Sequence, residues 1–344
     1  MFEKIKVLVV DDSAFMRKMI SDMINSELDM EVVDTAKDGE IAIDKILKLN
    51  PDVVTLDVEM PKKNGLEVLK AVKGRTSAQV IMLSSLTSEG SAITLEALQI
   101  GAFDFIQKPS GSISLDINKV KDDLVEKIRY AKSSNKKNKG KIQSATITQS
   151  KLKPSNRIDA VVIGASTGGP KVLYEILTVL PGNLEVPIFV VQHMPAGFTK
   201  AFAERIDKNS NLRTLEAADN LIIEKNKIYI APGGYHMIIE GNKVRLDLSP
   251  TMHGVRPAVD KLFFSAAEKY RSNLLAVILT GMGRDGADGV REIKRYGGTI
   301  IAQDEYTSTV YGMPKSAYET GCVDIVLPDN KVADEITKIV RGNY

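Results

Sequence analysis

The chain has 344 residues, enough for two domains of ordinary size, and its 43% hydrophobic content allows each a sizeable core. A formal net charge of +2 argues against an obligate polyanionic partner, and a single cysteine, Cys322, excludes an intrachain disulfide and any multi-cysteine metal site. No apolar run approaches the roughly 20 residues of a membrane span and no signal peptide is visible, so a soluble, cytoplasmic chain with no membrane insertion is expected.

Lys6 to Val10 is a short run rich in β-branched residues and reads as a strand. Asp11-Asp12-Ser13 follows and caps an amphipathic stretch that reaches about Leu28. Met30 to Thr35 reads as a strand, Gly39 to Leu49 as a helix, and Val53 to Leu56 as a strand that ends at Asp57. Leu66 to Lys73 reads as a helix, Val80 to Leu83 as a strand, Ala92 to Ile100 as a helix and Phe103 to Gln107 as a strand before Lys108 and Pro109. Strands alternating with helices predict a parallel sheet covered on both faces. From about Ala131 to Asn156 the apolar period stops, and Lys132 to Lys141 is polar and basic. Such a stretch cannot bury enough surface to offset its ordering entropy, so it reads as a linker. A lysine-rich contact with nucleic acid or acidic lipid is the minor alternative. The alternation resumes with apolar strands at Ala160 to Ile163, Ile188 to Val191, Ile228 to Ala231, Leu275 to Leu279 and Thr299 to Ala302. The expected division is residues 1–130, a linker at 131–156, and a second α/β domain at 157–344.

In open parallel sheets, ligands collect beyond the carboxyl ends of the strands. Asp11, Asp12 and Asp57 all fall there in the first domain, and three converging carboxylates suit a hard cation such as Mg²⁺. Lys108, after the fifth strand, and Ser84, after the fourth, are placed to meet a phosphoryl group, with Asp57 as the nucleophile that forms an acyl phosphate. For any one of these residues a helix cap or turn would be an adequate explanation. The joint pattern is more specific. Residues 5 to about 125 resemble the receiver domain of bacterial response regulators. That resemblance implies a flavodoxin-like fold, Asp57 as phosphoacceptor, Asp11, Asp12 and Asp57 around Mg²⁺, Lys108 on the phosphoryl group, Ser84 as switch hydroxyl (with Ser85 beside it), and Phe105 as the rotating aromatic. It further implies a histidine kinase as phosphodonor.

In the second domain, Ala160 to Pro170 reads as strand, tight glycine turn and helix start around Gly164-Ala165-Ser166-Thr167-Gly168, the pattern of a nucleophile elbow. A phosphate-binding turn fits the same motif. Three histidines are available as base. His193 follows a strand and shares the sheet edge with Ser166. His236 opens an apolar run and reads as a packed histidine, and His253 lies in a polar loop where substrate contact is conceivable. Asp285, after the strand Leu275 to Leu279, is favoured to orient the imidazole over Asp260, Asp288 and Asp304. The order Ser, His, Asp differs from that of typical α/β-hydrolases. Gly281, Gly283 and Gly286 also fit G-x-G-x-x-G with Asp304 downstream, although an acidic Asp285 inside the loop opposes a pyrophosphate.

From about Arg157 to the end, the stretches 163–170, 191–195, 230–234, 279–286 and 311–314 resemble the catalytic domain of bacterial chemotaxis protein-glutamate methylesterases. The resemblance implies a Rossmann-like parallel-sheet domain and a serine carboxyl-ester hydrolase with Ser166 as nucleophile, His193 as base and Asp285 as orienter. It places backbone oxyanion donors at Thr167 and Met282. It implies glutamate methyl esters of chemotaxis receptors as substrate, with receptor glutamine deamidation by the same route, no cofactor for the esterase and no nucleic acid partner. Fusion of the two sites predicts that the unphosphorylated receiver covers the Ser166 cleft and that phosphorylation of Asp57 relieves it. The rival class is a phosphorylation-controlled binding module that does no chemistry.

Overall fold

The computed structural model describes residues 3–108, 115–137 and 157–342. The chain divides into two compact units, Met1–Ile142 and Gln143–Tyr344. The first holds strands β1 (Ile5–Val10), β2 (Met30–Ala36), β3 (Val53–Asp57), β4 (Gln79–Ser84) and β5 (Asp104–Gln107), alternating with helices α1 (Ala14–Asn25), α2 (Gly39–Leu49), α3 (Gly65–Val72), α4 (Ser88–Ile100) and α5 (Leu115–Lys137). Its sheet is parallel in the order β2-β1-β3-β4-β5, so the order reverses between β1 and β3. Helix starts follow local chemistry. Ser13 caps α1 by accepting from Met16 N, Asp38 caps α2 by accepting from Ile41 N, and Asn64 with Glu67 forms a capping box on α3.

The expected linker start at residue 131 is corrected, because α5 continues to Lys137. Leu124, Val125, Ile128 and Ala131 are buried at helical spacing, which carries the apolar face beyond residue 130. Lys132 pairs with Asp52 at 2.5 Å, and the Ser133 and Ser134 hydroxyls donate back to the Tyr130 and Ala131 carbonyls. The rest of the expected linker, residues 138–156, and Pro109 lie outside the described residues.

The second unit carries a seven-stranded parallel sheet in the order β15-β14-β13-β6-β7-β10-β8. Its strands are β6 (Ala160–Ala165), β7 (Ile188–Gln192), β8 (Arg213–Glu216), β10 (Lys227–Ile230), β13 (Leu274–Ile278), β14 (Thr299–Gln303) and β15 (Ile325–Leu327). A three-stranded antiparallel sheet joins β9 (Leu221–Ile222), β11 (His236–Glu240) and β12 (Lys243–Asp247). Helices α6 (Gly169–Leu177), α7 (Phe198–Asp207), α8 (Val259–Tyr270), α9 (Ala287–Arg295), α10 (Met313–Tyr318) and α11 (Asp329–Arg341) complete it. One core runs from the β6–β13 strands through Val259, Leu262, Phe263 and Ala266 of α8 to Met237 and Val244 of the small sheet. Both units are thus α/β with parallel sheets, as the alternation predicts. The strand order of the second reverses between β6 and β13.

Candidate functional site

In the first unit, Asp11 follows β1 and Asp57 ends β3, the strands on either side of the reversal. Carboxylate oxygens of Asp11, Asp12 and Asp57 lie within 4.8 Å of one another. Lys108 reaches across from β5, with Nζ 2.8 Å from Asp11 Oδ2 and 2.7 Å from Asp57 Oδ2. Both oxygens are buried and accept no hydrogen bond apart from that ion pair. Burial pushes the Asp57 carboxyl up to about 6, against the pull of Lys108. Burial works against the Lys108 charge, but its contacts with Asp11 and Asp57 outweigh this and raise its pKa. All the candidate ligand atoms are oxygens, and two of them are buried with only the Lys108 ammonium as partner, so the cluster fits a hard divalent cation.

Ser84 is buried, and its hydroxyl donates to Ser85 O at 3.2 Å and accepts from Thr94 Oγ1 at 2.8 Å. Ser85 donates to Glu59 Oε1. Phe105 is buried on β5, with Lys127 Nζ 5.7 Å from its ring centroid.

In the second unit, Ala165 pairs with Gln192, so Ser166 and His193 leave adjacent strands side by side. His193 N donates to Ala165 O at 3.1 Å and Ser166 N to Thr280 O at 3.0 Å, which ties the elbow to the ends of both β7 and β13. Gln192, buried between them, donates to Ser166 O at 2.9 Å and His193 O at 3.2 Å. The sequence reading missed this clamp, and its position next to His193 was the available signal. Gly168, at φ +77°, turns the chain into α6.

His193 Nε2 lies 2.8 Å from Asp285 Oδ2. Asp285 is almost fully buried, and its carboxylate also accepts from Val259 N at 2.6 Å and Asp260 N at 2.9 Å, at the start of α8. Burial alone would raise its pKa. The His193 contact and these backbone donors outweigh that and hold it below the usual carboxylate value. Among the described residues no hydrogen bond joins Ser166 Oγ to His193. Thr167 Oγ1 donates to Met282 Sδ at 3.2 Å, which brings the two expected oxyanion residues together.

The competitors have other partners. His236 is fully buried, accepts from Ala258 N at Nδ1 and faces Pro250 O at Nε2, as a packed histidine does. Asp288 pairs with Arg284 and Arg291, and Asp304 accepts from Thr307 within its own turn. The G-x-G-x-x-G reading is not favoured, since the loop turns Asp285 inward. Asp260 pairs with His253 at 2.8 Å.

Among the described residues no helix is long and apolar enough to cross a membrane. A family profile for the CheB methylesterase matches residues 161–336, and one for the response regulator receiver domain matches residues 7–117. The chain is 50% identical over 343 residues to a protein-glutamate methylesterase/protein-glutamine glutaminase of Clostridium acetobutylicum, covering 99% of each chain. It is 49% identical over 343 residues to the protein of the same description from Thermotoga maritima, covering 98% of each. Among solved structures, the Thermotoga maritima CheB methylesterase catalytic domain matches with a TM-score of 0.52 and 48% identity, over 54% of this chain and 100% of that one. An acidic receiver cluster, a Ser–His–Asp edge in a second parallel sheet and end-to-end relatives converge: the chain belongs to the CheB family of protein-glutamate methylesterases/protein-glutamine glutaminases, hydrolases that carry a response-regulator receiver domain.

Proposed function

We propose that this chain is a cytoplasmic, phosphorylation-controlled serine hydrolase. It removes methyl groups from glutamate methyl esters on chemotaxis receptors, and it deamidates receptor glutamines by the same acyl-enzyme route. The observation that carries the reading is the His193–Asp285 pair at 2.8 Å beside Ser166 on the carboxyl edge of the sheet. Ser166 Oγ attacks the ester carbonyl while His193 takes its proton. Because Nε2 faces Asp285, the nitrogen left to act as base is Nδ1. Backbone N–H groups of Thr167 and Met282 stabilise the oxyanion. The protonated imidazole then returns its proton to the leaving methoxide, and methanol departs from a glutamyl ester of Ser166. Water, activated by the same imidazole, hydrolyses that ester to free glutamate and Ser166. The Ser166–His193 contact closes only when substrate is bound, a common state of affairs in unliganded hydrolases.

In the receiver, Asp57 takes a phosphoryl group from a histidine kinase of the chemotaxis system, and Lys108 holds the transferred oxygens. Asp11, Asp12 and Asp57 would hold Mg²⁺, which supplies charge neutralisation for the phosphoryl group. Ser84 and Phe105 report the phosphorylated state, with Ser84 first leaving its contact with Ser85. Mg²⁺ serves the receiver alone, and the hydrolytic cycle needs only water. The division into receiver, linker and catalytic domain is part of this proposal, with the linker taken to begin after Lys137.

Methanol release from methylated receptor tests both sites together. Wild type with Mg²⁺ and acetyl phosphate is expected to exceed wild type without them, and Ser166→Ala is expected to lose at least about 10³-fold. A Ser166→Ala protein that still supports the protein's role, with a wild type that releases no methanol, would favour the binding-module reading.

A further inference from the structure

Asp285 is one half of a reciprocal arrangement. Its carboxylate is held by the first two N–H groups of α8, those of Val259 and Asp260, at 2.6 and 2.9 Å. Asp260, fully buried in the first turn of α8, reaches the other way, and its Oδ1 accepts from Gly289 N at 2.6 Å, in the first turn of α9. Asp285 immediately precedes the Gly286 cap of α9. Each carboxylate therefore belongs to the start of one helix and binds the start of the other. The second oxygen of Asp260, Oδ2, lies 2.8 Å from His253 Nε2. His253 sits at φ +52° in a turn closed by mutual backbone bonds between Met252 and Val255, and 26% of its side chain is exposed. The Asp288 carboxylate is also near, but Arg284 and Arg291 neutralise it.

We propose that His253 and Asp260 form a second imidazole–carboxylate pair that fixes Asp285, and through it the His193 imidazole, so that both are positioning residues for hydrolysis. The proposal rests on the reading of Ser166, His193 and Asp285 given above. Two buried carboxylates this close repel each other. Burial and the Asp285 charge both push Asp260 toward its protonated form, against the Gly289 N–H and His253. Without the imidazole, Asp260 either takes up a proton or turns to seek water. In both cases its grip on α9 weakens, and the first turn of α8, which carries both backbone donors to Asp285, is released. The Asp285–His193 line then loses its aim. Misalignment of a base affects the chemical step more than substrate binding.

The test measures kcat and KM for methanol release by the full chain with Mg²⁺ and acetyl phosphate, with a thermal melt to verify folding. His253→Ala is expected to lower kcat on the order of tenfold with KM unchanged within about twofold, the scale of other lost orienting partners. His253→Gln, whose amide can still donate to Asp260, is expected to recover most of the rate. If His253→Ala melts below the assay temperature, Asp260→Asn carries the same expectation of a kcat loss without a KM change. A wild-type kcat in the destabilised pair, a loss confined to KM, or no recovery in His253→Gln would overturn the proposal. A Ser166→Ala control separates the two readings. If that variant turns over, the reading of the site fails and this proposal with it. If activity needs Ser166 but ignores His253, only the positioning pair is overturned.

Discussion

Gly281 follows β13 and shows how a single residue constrains Ser166, the proposed nucleophile. A Cβ there would lie 2.7 Å from Ser166 Cβ, 3.0 Å from Ser166 N and 2.4 Å from Met313 Sδ. Neither backbone nor a packed thioether yields by that much, so Gly281→Ala must shift Ser166. We expect it to lower kcat for methanol release by roughly 10²-fold, since small displacements of reacting groups are that costly. Gly241 provides the control. It sits at φ +58° in the β11–β12 turn with open space around it, so Gly241→Ala should cost about 1 kcal/mol of stability and leave kcat alone. Equal kcat in both variants would show that the Gly281 contact does not position Ser166. The sequence singled out Ser166, His193 and Asp285 because each follows an apolar strand that ends in a glycine-containing loop, and the fold brings His193 and Asp285 together. The reason for Gly281 was not legible, since its neighbour lies more than a hundred positions away. Asp260 read as a rival of Asp285, whereas the fold makes it the neighbour that supplies a backbone donor. Which imidazole nitrogen faces the acid is likewise a property of three dimensions alone.

At the scale of elements, apolar runs bounded by glycine located the interior strands to within a residue or two. They did not reveal β8, whose Arg213-Thr-Leu-Glu216 carries a charge at each end, or the short β15, which are the two edges of the large sheet. β8 has a single fully buried residue among its four and β15 is only three residues long, so neither presents an apolar run to read. The small antiparallel sheet was also missed, and His236 ties its strand β11 to the start of α8. Its Nδ1 accepts from Ala258 N at 3.1 Å, which requires an unprotonated nitrogen, and Nε2 faces Pro250 O at 3.1 Å. Burial holds its pKa below the ordinary 6.5. The unfolded chain therefore binds this proton first. The stability due to neutral His236 is complete above about pH 6.5 and falls as pH drops below it. His236→Asn keeps an acceptor but cannot titrate, so its Tm should decline less than that of wild type between pH 8 and pH 5. Parallel declines would show that His236 is not the group responsible.

Across the whole molecule, the same architecture is used twice for different chemistry. Each unit has a parallel sheet with a reversal of strand order, β1/β3 in the first and β6/β13 in the second, and each gathers its candidate side chains at the carboxyl ends of the strands at or near it. In the first unit this gives three carboxylates and a lysine, a set suited to accept a phosphoryl group. In the second it gives a hydroxyl, an imidazole and an orienting carboxylate, a set suited to acyl transfer. The two chemistries need different partners, so they should be separable by mutation. Asp57→Asn removes the carboxylate oxygen proposed to attack phosphorus, while Ser166→Ala removes only the proposed acyl nucleophile. We expect Asp57→Asn to release methanol at a rate that acetyl phosphate and Mg²⁺ no longer change. Wild type should respond by a factor within the 5- to 150-fold range of ordinary allosteric coupling. Ser166→Ala should take up label from acetyl [³²P]phosphate as wild type does while releasing no methanol. Stimulation that survives in Asp57→Asn would mean that acetyl phosphate acts elsewhere. Labelling lost in Ser166→Ala would mean that the phosphoryl group resides on the catalytic unit, and the assignment of the acidic cluster would have to be abandoned.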